Sequence, residues 1–345
     1  MPVECSEVLD SWAVSANPLL PSVETLTTAG AINAESVGNT AVLEQSPMRA
    51  SLTAEGTHRD AFEAQDWGQL VFAGLVWGAS FIFIAAGVEH FAPGVVTFGR
   101  MLIGFITLAF FKQARAVRVD RADWPRVVLV SITWLAFPMT LFPIAQQHIS
   151  SGLAGMLNGA IPVFAAVVAS VALRRAPGRA QLIGLIVGGL GIALLGIPAL
   201  TDGGSSALGV LLVVIACMSY GVALNLNVPL AQKYGAVPTF WRCQLVATVL
   251  TAPFGVWGLR TSEWDLAAAG ALLLLGALGT ALAFVAMSSL SARVGSTRSA
   301  SLTYLEAIVA LIMGVIVRGE AIRLLEVIGC LVLMVGAWLV SRADH

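Results

Sequence analysis

The sequence predicts an all-α integral membrane protein with ten transmembrane helices arranged as two inverted five-helix repeats. Composition predicts the membrane class, because 57% of the 345 residues are hydrophobic and only 11% are charged. Soluble domains carry roughly 25% charged residues, so this chain has too few polar residues to cover a water-facing surface. Apolar stretches that alternate with short polar breaks predict about ten spans of roughly 20 residues each.

The first 66 residues differ from the rest of the chain. They contain ten acidic and two basic residues, a net charge of −8, and lack a sustained apolar stretch. Low hydrophobicity with excess charge of one sign is typical of disorder, and the segment lacks the basic start of a secretory signal. We therefore expect residues 1–66 to form a disordered acidic cytoplasmic tail.

Residues 67–200 are expected to form the first repeat. Breaks of only a few residues, such as VEHFA at 88–92, make neighbouring spans antiparallel. Pro138 and Pro143 interrupt the third apolar stretch. The predicted spans are 68–88, 93–111, 126–146, 150–173 and 180–200.

Residues 201–345 are expected to form the second repeat, in which Pro253 interrupts one stretch. Because each repeat contains an odd number of spans, the second copy enters the membrane upside down, as in the inverted repeats of secondary transporters. The predicted spans are 207–230, 237–259, 266–290, 297–317 and 324–341.

Short echoes between the halves support the repeat. VWGASF at 76–81 is echoed by SYGVAL at 219–224, and TFGR at 97–100 is echoed by TFWR at 239–242. The fourth spans of the two halves also align, at an offset near 145 residues. The echoes keep the same order at a nearly constant spacing, which favours duplication.

Basic residues in the short loops predict the orientation. Loop 112–126 contains five and loop 174–179 contains three, whereas loops 89–92, 147–149 and 201–206 contain none. Cytoplasmic loops carry an excess of Lys and Arg. Both termini are therefore expected in the cytoplasm of a multi-pass protein of the cell (cytoplasmic) membrane.

Several stretches together resemble one transporter family. They are LVWGASFIF in the first span, APGVVTFGRMLIG in the second, ISSGLAGMLNGAIPVFAAVVA in the fourth and GSTRSASLTYLEAIVALIMGVIVRGEAI in the ninth. Through them, residues 67–341 resemble the EamA-type branch of the drug/metabolite transporter (DMT) superfamily. The resemblance implies a secondary active transporter of the cytoplasmic membrane that exports small metabolites such as amino acids by alternating access. Two positions depart from the family: LRRAP at 173–177 lacks its glutamate, and Ala307 replaces its proline.

Glu306 is the sharpest candidate for a transport residue. A charge inside a span is costly, so it is expected to face the protein interior or a watery cavity. Ser299, Thr303 and Glu306 share one helical face, with Tyr304 on the adjoining side. Glu306 could take up a proton or bind a substrate amine. The alternative is a structural acid hydrogen-bonded to a neighbouring helix.

Asn158 marks a second polar position within a span. Pro162 has no N–H to donate to the Asn158 carbonyl, so an unpaired carbonyl and an amide lie within one turn. Such backbone is tolerated where it lines a cavity or where a neighbour satisfies it. Aromatic and polar residues share faces of the first and sixth spans and either line a cavity or pack. The predicted substrate-binding residues are Trp77, Ser80, Phe81, Asn158, Tyr220, Asn227, Thr303, Tyr304 and Glu306.

Arg100 and Arg242 occupy equivalent positions in the two TF-x-R echoes. Each lies near the start of a span, from which an arginine readily extends to the membrane surface. We expect both to anchor their helices at the interface. The alternative is contact with an anion, because arginine binds carboxylate or phosphate with two parallel hydrogen bonds.

Other classes of function lack sequence support. Neither Lys112 nor Lys233 follows a glycine, so no phosphate-binding loop for ATP is encoded. The scattered cysteines and histidines predict neither a metal site nor a cofactor, no basic cluster with aromatics indicates nucleic acid, and the predicted spans lack catalytic aspartates and histidines. The expected partners are a small-molecule substrate and the lipid bilayer, with the oligomeric state open. A broad drug/metabolite efflux carrier and a non-transporting scaffold or receptor remain alternatives.

Overall fold

The computed structural model describes residues 56–57, 62–173, 176–201 and 204–343, and these contain helices and turns but no strand. Most of the expected acidic tail lies outside the described residues, as do Arg174 and Arg175 of the second basic loop.

Apolar helices dominate the described part of the chain. Seven are long and apolar enough to cross a membrane, and Pro93–Ala109 is a shorter apolar helix. These helices confirm the prediction of an all-α, multi-pass membrane protein. The seven are Ala64–His90, Arg121–Ala145, Ser151–Val168, Arg179–Ala199, Ser206–Tyr234, Leu266–Val294 and Leu324–Arg342.

We number the α-helices in chain order. They are α1 (Ala64–His90), α2 (Pro93–Ala109), α3 (Lys112–Ala116), α4 (Trp124–Val130), α5 (Phe137–Ala145), α6 (Ser151–Asn158), α7 (Ile161–Leu173), α8 (Arg179–Thr201), α9 (Gly204–Tyr234), α10 (Ala236–Gly258), α11 (Leu266–Leu274), α12 (Ala283–Val294), α13 (Ser296–Ser299), α14 (Leu302–Arg318) and α15 (Leu324–Ala343).

Helix α1 begins inside the segment that the sequence assigned to the tail. Glu63 and Asp66 form a capping box at its start, in which each side chain bonds the backbone of the other. Asp66 is buried and accepts a hydrogen bond of 2.8 Å from Arg293 Nε. A partly buried ion pair therefore holds the first turn of α1 against the end of α12, and this pairing has no signature in the local sequence.

Two predicted spans are each built from two helices. The 150–173 stretch breaks between α6 and α7, where Pro162 cannot bond the carbonyl of Asn158. The 297–317 stretch breaks between α13 and α14, where the Ser301 and Thr303 hydroxyls donate to nearby carbonyls. Such side-chain bonds compete with the regular helical pattern.

The third and eighth spans each contain a π-helical segment. Residues Ser131–Ala136 join α4 to α5, and residues Leu275–Leu282 join α11 to α12. Pro138 lies near the start of α5, directly after the first π-helical segment, and Pro143 lies inside α5. Neither proline ends the span. A π-turn shifts the hydrogen-bond register by one residue, which is frequent at functional sites.

Packing between the two halves is reciprocal. Helix α2 packs on α10, α8 packs on α15, α1 packs on α14, and α9 packs on α6 and α7. Gly78 of α1 lies against Val309 of α14, and its repeat counterpart Gly221 of α9 lies against Phe164 of α7. First spans thus meet the fourth spans of the opposite half, close to glycine in both cases.

Ion pairs join the halves at both ends of the bundle. At the end with the basic loop 112–126, Lys233 Nζ lies 2.8 Å from Asp120 and 2.7 Å from Asp123. Hydrogen bonds from Lys233 and Tyr234 hold the pKa of the exposed Asp120 carboxyl below its usual value. At the opposite end, Arg318 pairs with Glu89.

Candidate functional site

A cavity lies between the two halves. Residues of α1, α2, α6, α7, α9, α12, α14 and the third span contribute to its walls, so both repeats build it. The lining residues are Trp77, Ser80, Phe81, Ile84, Arg100, Trp134, Met139, Phe142, Asn158, Ile161, Tyr220, Leu224, Phe284, Met287, Thr303 and Glu306.

Glu306 places a carboxyl group at the cavity and is only 2% exposed. Its Oε1 accepts a hydrogen bond of 2.7 Å from Asn158 Nδ2. Its Oε2 is buried and has no hydrogen-bond partner among the described residues. A buried acceptor without a partner is costly in free energy. A hydrogen bond from a ligand, or a proton, is therefore most stabilising at Oε2.

Arg100 brings the opposite charge to the same cavity. It is 2% exposed, and its Nε donates to Thr280 Oγ1 at 2.9 Å in the π-helical segment of the eighth span. Within the described chain, Arg100 forms no ion pair with Glu306 at 4 Å or closer. The expected extension to the membrane surface is therefore not observed, because α2 turns this side chain toward Thr280 and the interior.

Arg242, the repeat counterpart of Arg100, lies outside the cavity. Its Nη1 donates to the carbonyls of Pro238 at 2.8 Å and Ala114 at 3.2 Å, and its Nη2 donates to the Val117 carbonyl. Arg242 therefore fastens the basic loop to α10, whereas Arg100 lines the cavity.

Aromatic side chains form much of the remaining wall. Trp77 and Phe284 pack edge to face with ring centroids 4.8 Å apart, and Phe81 and Phe142 pack likewise at 5.6 Å. The Trp77 indole also donates to the Gly279 carbonyl at 2.9 Å. These contacts fix the rings, so the cavity offers a firm apolar surface beside two charged groups.

The structure brings seven of the nine predicted site residues to the cavity. They are Trp77, Ser80, Phe81, Asn158, Tyr220, Thr303 and Glu306. Asn227 lies elsewhere, with its Nδ2 3.1 Å from both Ser288 Oγ and Ser291 Oγ, so its amide joins α9 to α12. Tyr304 is half-buried against the apolar core and does not line the cavity, because α14 turns it away from the side of Glu306.

Sequence reasoning missed the contribution of the third and eighth spans. Trp134, Met139, Phe142 and Phe284 line the cavity, and Thr280 holds Arg100 beside it. The prolines flanking Trp134 and Phe142 were the available signal, because interrupted helices in membranes are tolerated where they border a cavity. In the described part of the chain, no group of three or more His, Cys, Asp or Glu residues is placed to hold a metal ion.

Known proteins share this sequence pattern and fold. The pattern of the EamA-like transporter family matches residues 68–197 and again residues 207–342. The uncharacterized transporter YdfC of Bacillus subtilis is 26% identical over 266 residues, which cover 76% of this chain and 86% of the relative. A probable terminal-alkyne amino-acid exporter of Streptantibioticus cattleyicolor is 26% identical over 279 residues, covering 79% and 92%.

A solved crystal structure agrees in fold, with a TM-score of 0.58 at 18% identity over 81% of this chain and 96% of that one. The two matches to the family pattern together cover most of the chain, and members of this family are membrane-embedded transporters of small molecules. This chain therefore belongs to the EamA-like transporter family.

Proposed function

We propose that this protein is a secondary active transporter of the cytoplasmic membrane that exports a small zwitterionic metabolite, such as an amino acid with an apolar side chain, by alternating access. One observation carries the proposal: a buried cavity between the halves holds a carboxyl group and a guanidinium group that do not pair with each other.

The two charged groups complement the ends of an amino acid. Arg100 offers the nitrogens not bonded to Thr280, and arginine binds a carboxylate with two parallel hydrogen bonds. Glu306 offers Oε2 to an ammonium group. The aromatic wall, including Trp77 and Phe284, suits an apolar side chain.

The name of one relative supports this substrate class. One of them is a probable terminal-alkyne amino-acid exporter. An alkyne side chain is apolar, and its amino acid carries one carboxylate and one ammonium, as the cavity requires. The proposal for this chain rests on that chemistry and on the 26% identity of the two proteins.

We extend the proposal to the architecture and orientation. The two segments that match the family pattern fall within the expected repeats 67–200 and 201–345. Reciprocal packing of α1 on α14 and of α9 on α7 supports a pseudo-two-fold relation. We infer ten transmembrane segments in two inverted copies, with Ala236–Gly258 and Leu302–Arg318 among them and both termini in the cytoplasm.

A second candidate is a broad drug/metabolite efflux carrier. The aromatic rings and the Met139 and Met287 side chains support it, because flexible thioethers adapt to ligands of different shape. The two candidates differ in what they require of the ligand. A carrier of zwitterions needs both charges of the substrate, whereas a broad carrier needs chiefly apolar surface.

Counterflow into proteoliposomes distinguishes these functions. The purified full-length protein is tested with neutral L-amino acids, their decarboxylated amines, their N-acetyl derivatives and apolar dyes. The zwitterion proposal requires flux of amino acids with apolar side chains and at least tenfold weaker flux of both singly charged analogues. Equal flux of all three supports broad efflux, and absence of any flux favours a scaffold or receptor.

A further inference from the structure

Helix α6 is a short strut between the two halves. All eight of its residues, Ser151–Asn158, are buried, and its length is about 12 Å at 1.5 Å per residue. It packs on α1, α9 and α14, and it is separated from α7 by the turn at Gly159 and Ala160. The strut can therefore be treated as an element of its own.

A carboxylate of the second half binds the start of this strut. Glu320 Oε1 accepts from Ser151 N at 2.8 Å and from Ser151 Oγ at 2.6 Å, and its Oε2 accepts from Gly152 N at 2.8 Å. The first N–H groups of a helix have no partner within the helix, and the helix dipole favours a negative charge at this point. Both oxygens of Glu320 thus accept from the first turn of α6, and Arg318 Nε lies 3.8 Å from Oε1.

Two glycines make room for the Glu320 carboxylate. A Cβ at Gly314 of α14 would lie 2.5 Å from Glu320 Oε2, and a Cβ at Gly152 would lie 3.1 Å from the same oxygen. The carboxylate is therefore enclosed between the strut and α14. A larger residue at either glycine would occupy the space that the carboxylate fills.

A second carboxyl group binds the other end of the strut. Asn158, the last residue of α6, donates to Glu306 Oε1 at 2.7 Å. Glu306 belongs to α14, and Glu320 follows two residues after the end of α14 at Arg318. The segment from α14 to Glu320 in the second half thus holds α6 of the first half at both ends. The Glu306 end lies at the cavity, and the Glu320 end lies away from it.

We propose that Glu320 is a positioning residue that acts through α6: it fixes the strut along α14 and so presents Asn158 to Glu306 at the cavity. A substrate ammonium binds Glu306 Oε2, which has no partner in the described chain, while Asn158 remains on Oε1. The position of the strut therefore sets where the substrate meets this carboxyl group. This role rests on the proposed function, since it assigns the cavity to transport. Glu320 itself does not line the cavity.

Hydrogen exchange of the full-length protein tests the coupling without any substrate. The variants are Glu320→Gln, Asn158→Ala and the double variant. Glu263→Gln is the control, because Glu263 is an exposed carboxylate in the loop before α11. Glu89 is unsuitable, since its partner Arg318 also lies 3.8 Å from Glu320 Oε1. A glutamine offers one acceptor oxygen and an NH₂ group that cannot accept from Gly152. We expect Glu320→Gln to speed exchange through residues 153–158 by roughly 10- to 100-fold, the usual effect of losing bonds to a charged acceptor.

The double variant decides whether the two ends act together. If α6 is held as one unit, Glu320→Gln combined with Asn158→Ala speeds exchange by clearly less than the product of the single effects. Faster exchange confined to the first turn, or effects that multiply, would overturn the proposal. The Glu263→Gln control leaves exchange of residues 153–158 unchanged.

Two further measurements keep the test decisive. Glu320→Asp keeps the charge but shortens the side chain, so residues 153–158 should retain part of their protection from hydrogen exchange. This variant replaces Glu320→Gln if Glu320→Gln does not fold. Counterflow of L-leucine by the same preparations is the second readout, in which Glu320→Gln and Asn158→Ala again combine non-multiplicatively. A third outcome is that the hydrogen-exchange effects of the two variants combine as expected while the unmodified protein shows no counterflow. That result contradicts the proposed function and leaves the positioning role of Glu320 intact.

Discussion

At the residue scale, the proposed substrate site takes one charged group from each half of the molecule. Arg100 comes from α2 and Glu306 from α14, and each is 2% exposed. An arginine held by one hydrogen bond to Thr280 retains donors for a carboxylate. Substitutions at these residues should therefore affect different groups of the same ligand.

Replacing Arg100 by Gln should weaken recognition of the substrate carboxylate. A lost charge-assisted bond costs about 1.5–3 kcal/mol, which corresponds to roughly a 10- to 100-fold higher apparent KM. The KM of the matching decarboxylated amines should change little. Arg260→Gln, at an exposed arginine, is the control, and an equal loss for amines and amino acids contradicts the assignment.

Replacing Glu306 by Gln should separate proton coupling from exchange. The amide cannot take up or release a proton, but its oxygen can still accept from Asn158 as Oε1 does now. We expect transport driven by a pH gradient to be abolished. Substrate exchange should continue with a higher KM, because a neutral amide oxygen binds an ammonium group less tightly than a carboxylate does. Retained pH-driven flux in Glu306→Gln proteoliposomes, with exposed Glu263→Gln as the control, would discard a proton role for this residue.

At the element scale, the contact between α6 and α14 depends on the absence of side chains. A Cβ at Gly155 would lie 2.1 Å from the Ala310 Cβ, so the two helices approach at van der Waals distance. Small residues are what permits such approach in membranes. The interrupted fourth and ninth spans therefore pack more closely than their hydropathy alone would indicate.

Adding one methyl group at Gly155 should force these helices apart. We expect Gly155→Ala to destabilise the protein by about 1–3 kcal/mol through overpacking, measured as a lower midpoint of thermal unfolding in detergent. Gly189→Ala is the matched control, because nothing lies within 4 Å of its Cβ position, and it should be neutral or stabilising by up to about 1 kcal/mol. Equal effects of the two changes would contradict the tight contact.

The basic loop should detach from α9 at acid pH. Since hydrogen bonds from Lys233 and Tyr234 lower the pKa of Asp120 in the folded state, this contact stabilises the loop above the ordinary aspartate value, about 3.9. The contribution is lost as the pH falls through the lowered pKa. Hydrogen exchange of residues 112–123 should become faster below about pH 4. In the Lys233→Gln variant, the same residues should exchange rapidly at neutral pH as well.

At the whole-molecule scale, the contacts of one half repeat in the other. Gly78 against Val309 and Gly221 against Phe164 are the same contact seen twice. The inferred inversion places the basic loop 112–126 in the cytoplasm and the loop before α11 outside. Closing and opening of the cavity toward either side would then involve equivalent movements of the two halves.

Cysteine labelling in intact cells checks this orientation. With Cys5 replaced and the cysteines of the described chain buried, exposed positions Arg118 and Glu263 are changed to cysteine one at a time. A membrane-impermeant maleimide should label Glu263→Cys directly and Arg118→Cys only after permeabilisation. The reverse pattern would show that the protein lies the other way round in the membrane.

The sequence by itself determined the membrane class, the helical class and the approximate position of the spans. These follow from composition and hydropathy, which the bilayer imposes along each segment independently of its neighbours. Glu306 could be singled out for the same reason, because a charge in an apolar stretch is visible in the sequence alone.

Only the tertiary structure decided which side chains meet. Arg100 and Arg242 share a TF-x-R sequence, yet one lies at the cavity and the other binds loop carbonyls. Asn158 meets Glu306, and Glu320 meets Ser151, across separations of 148 and 169 residues. A local pattern shows that a polar group must be satisfied in the membrane, but its partner depends on the packing of helices that are distant in sequence.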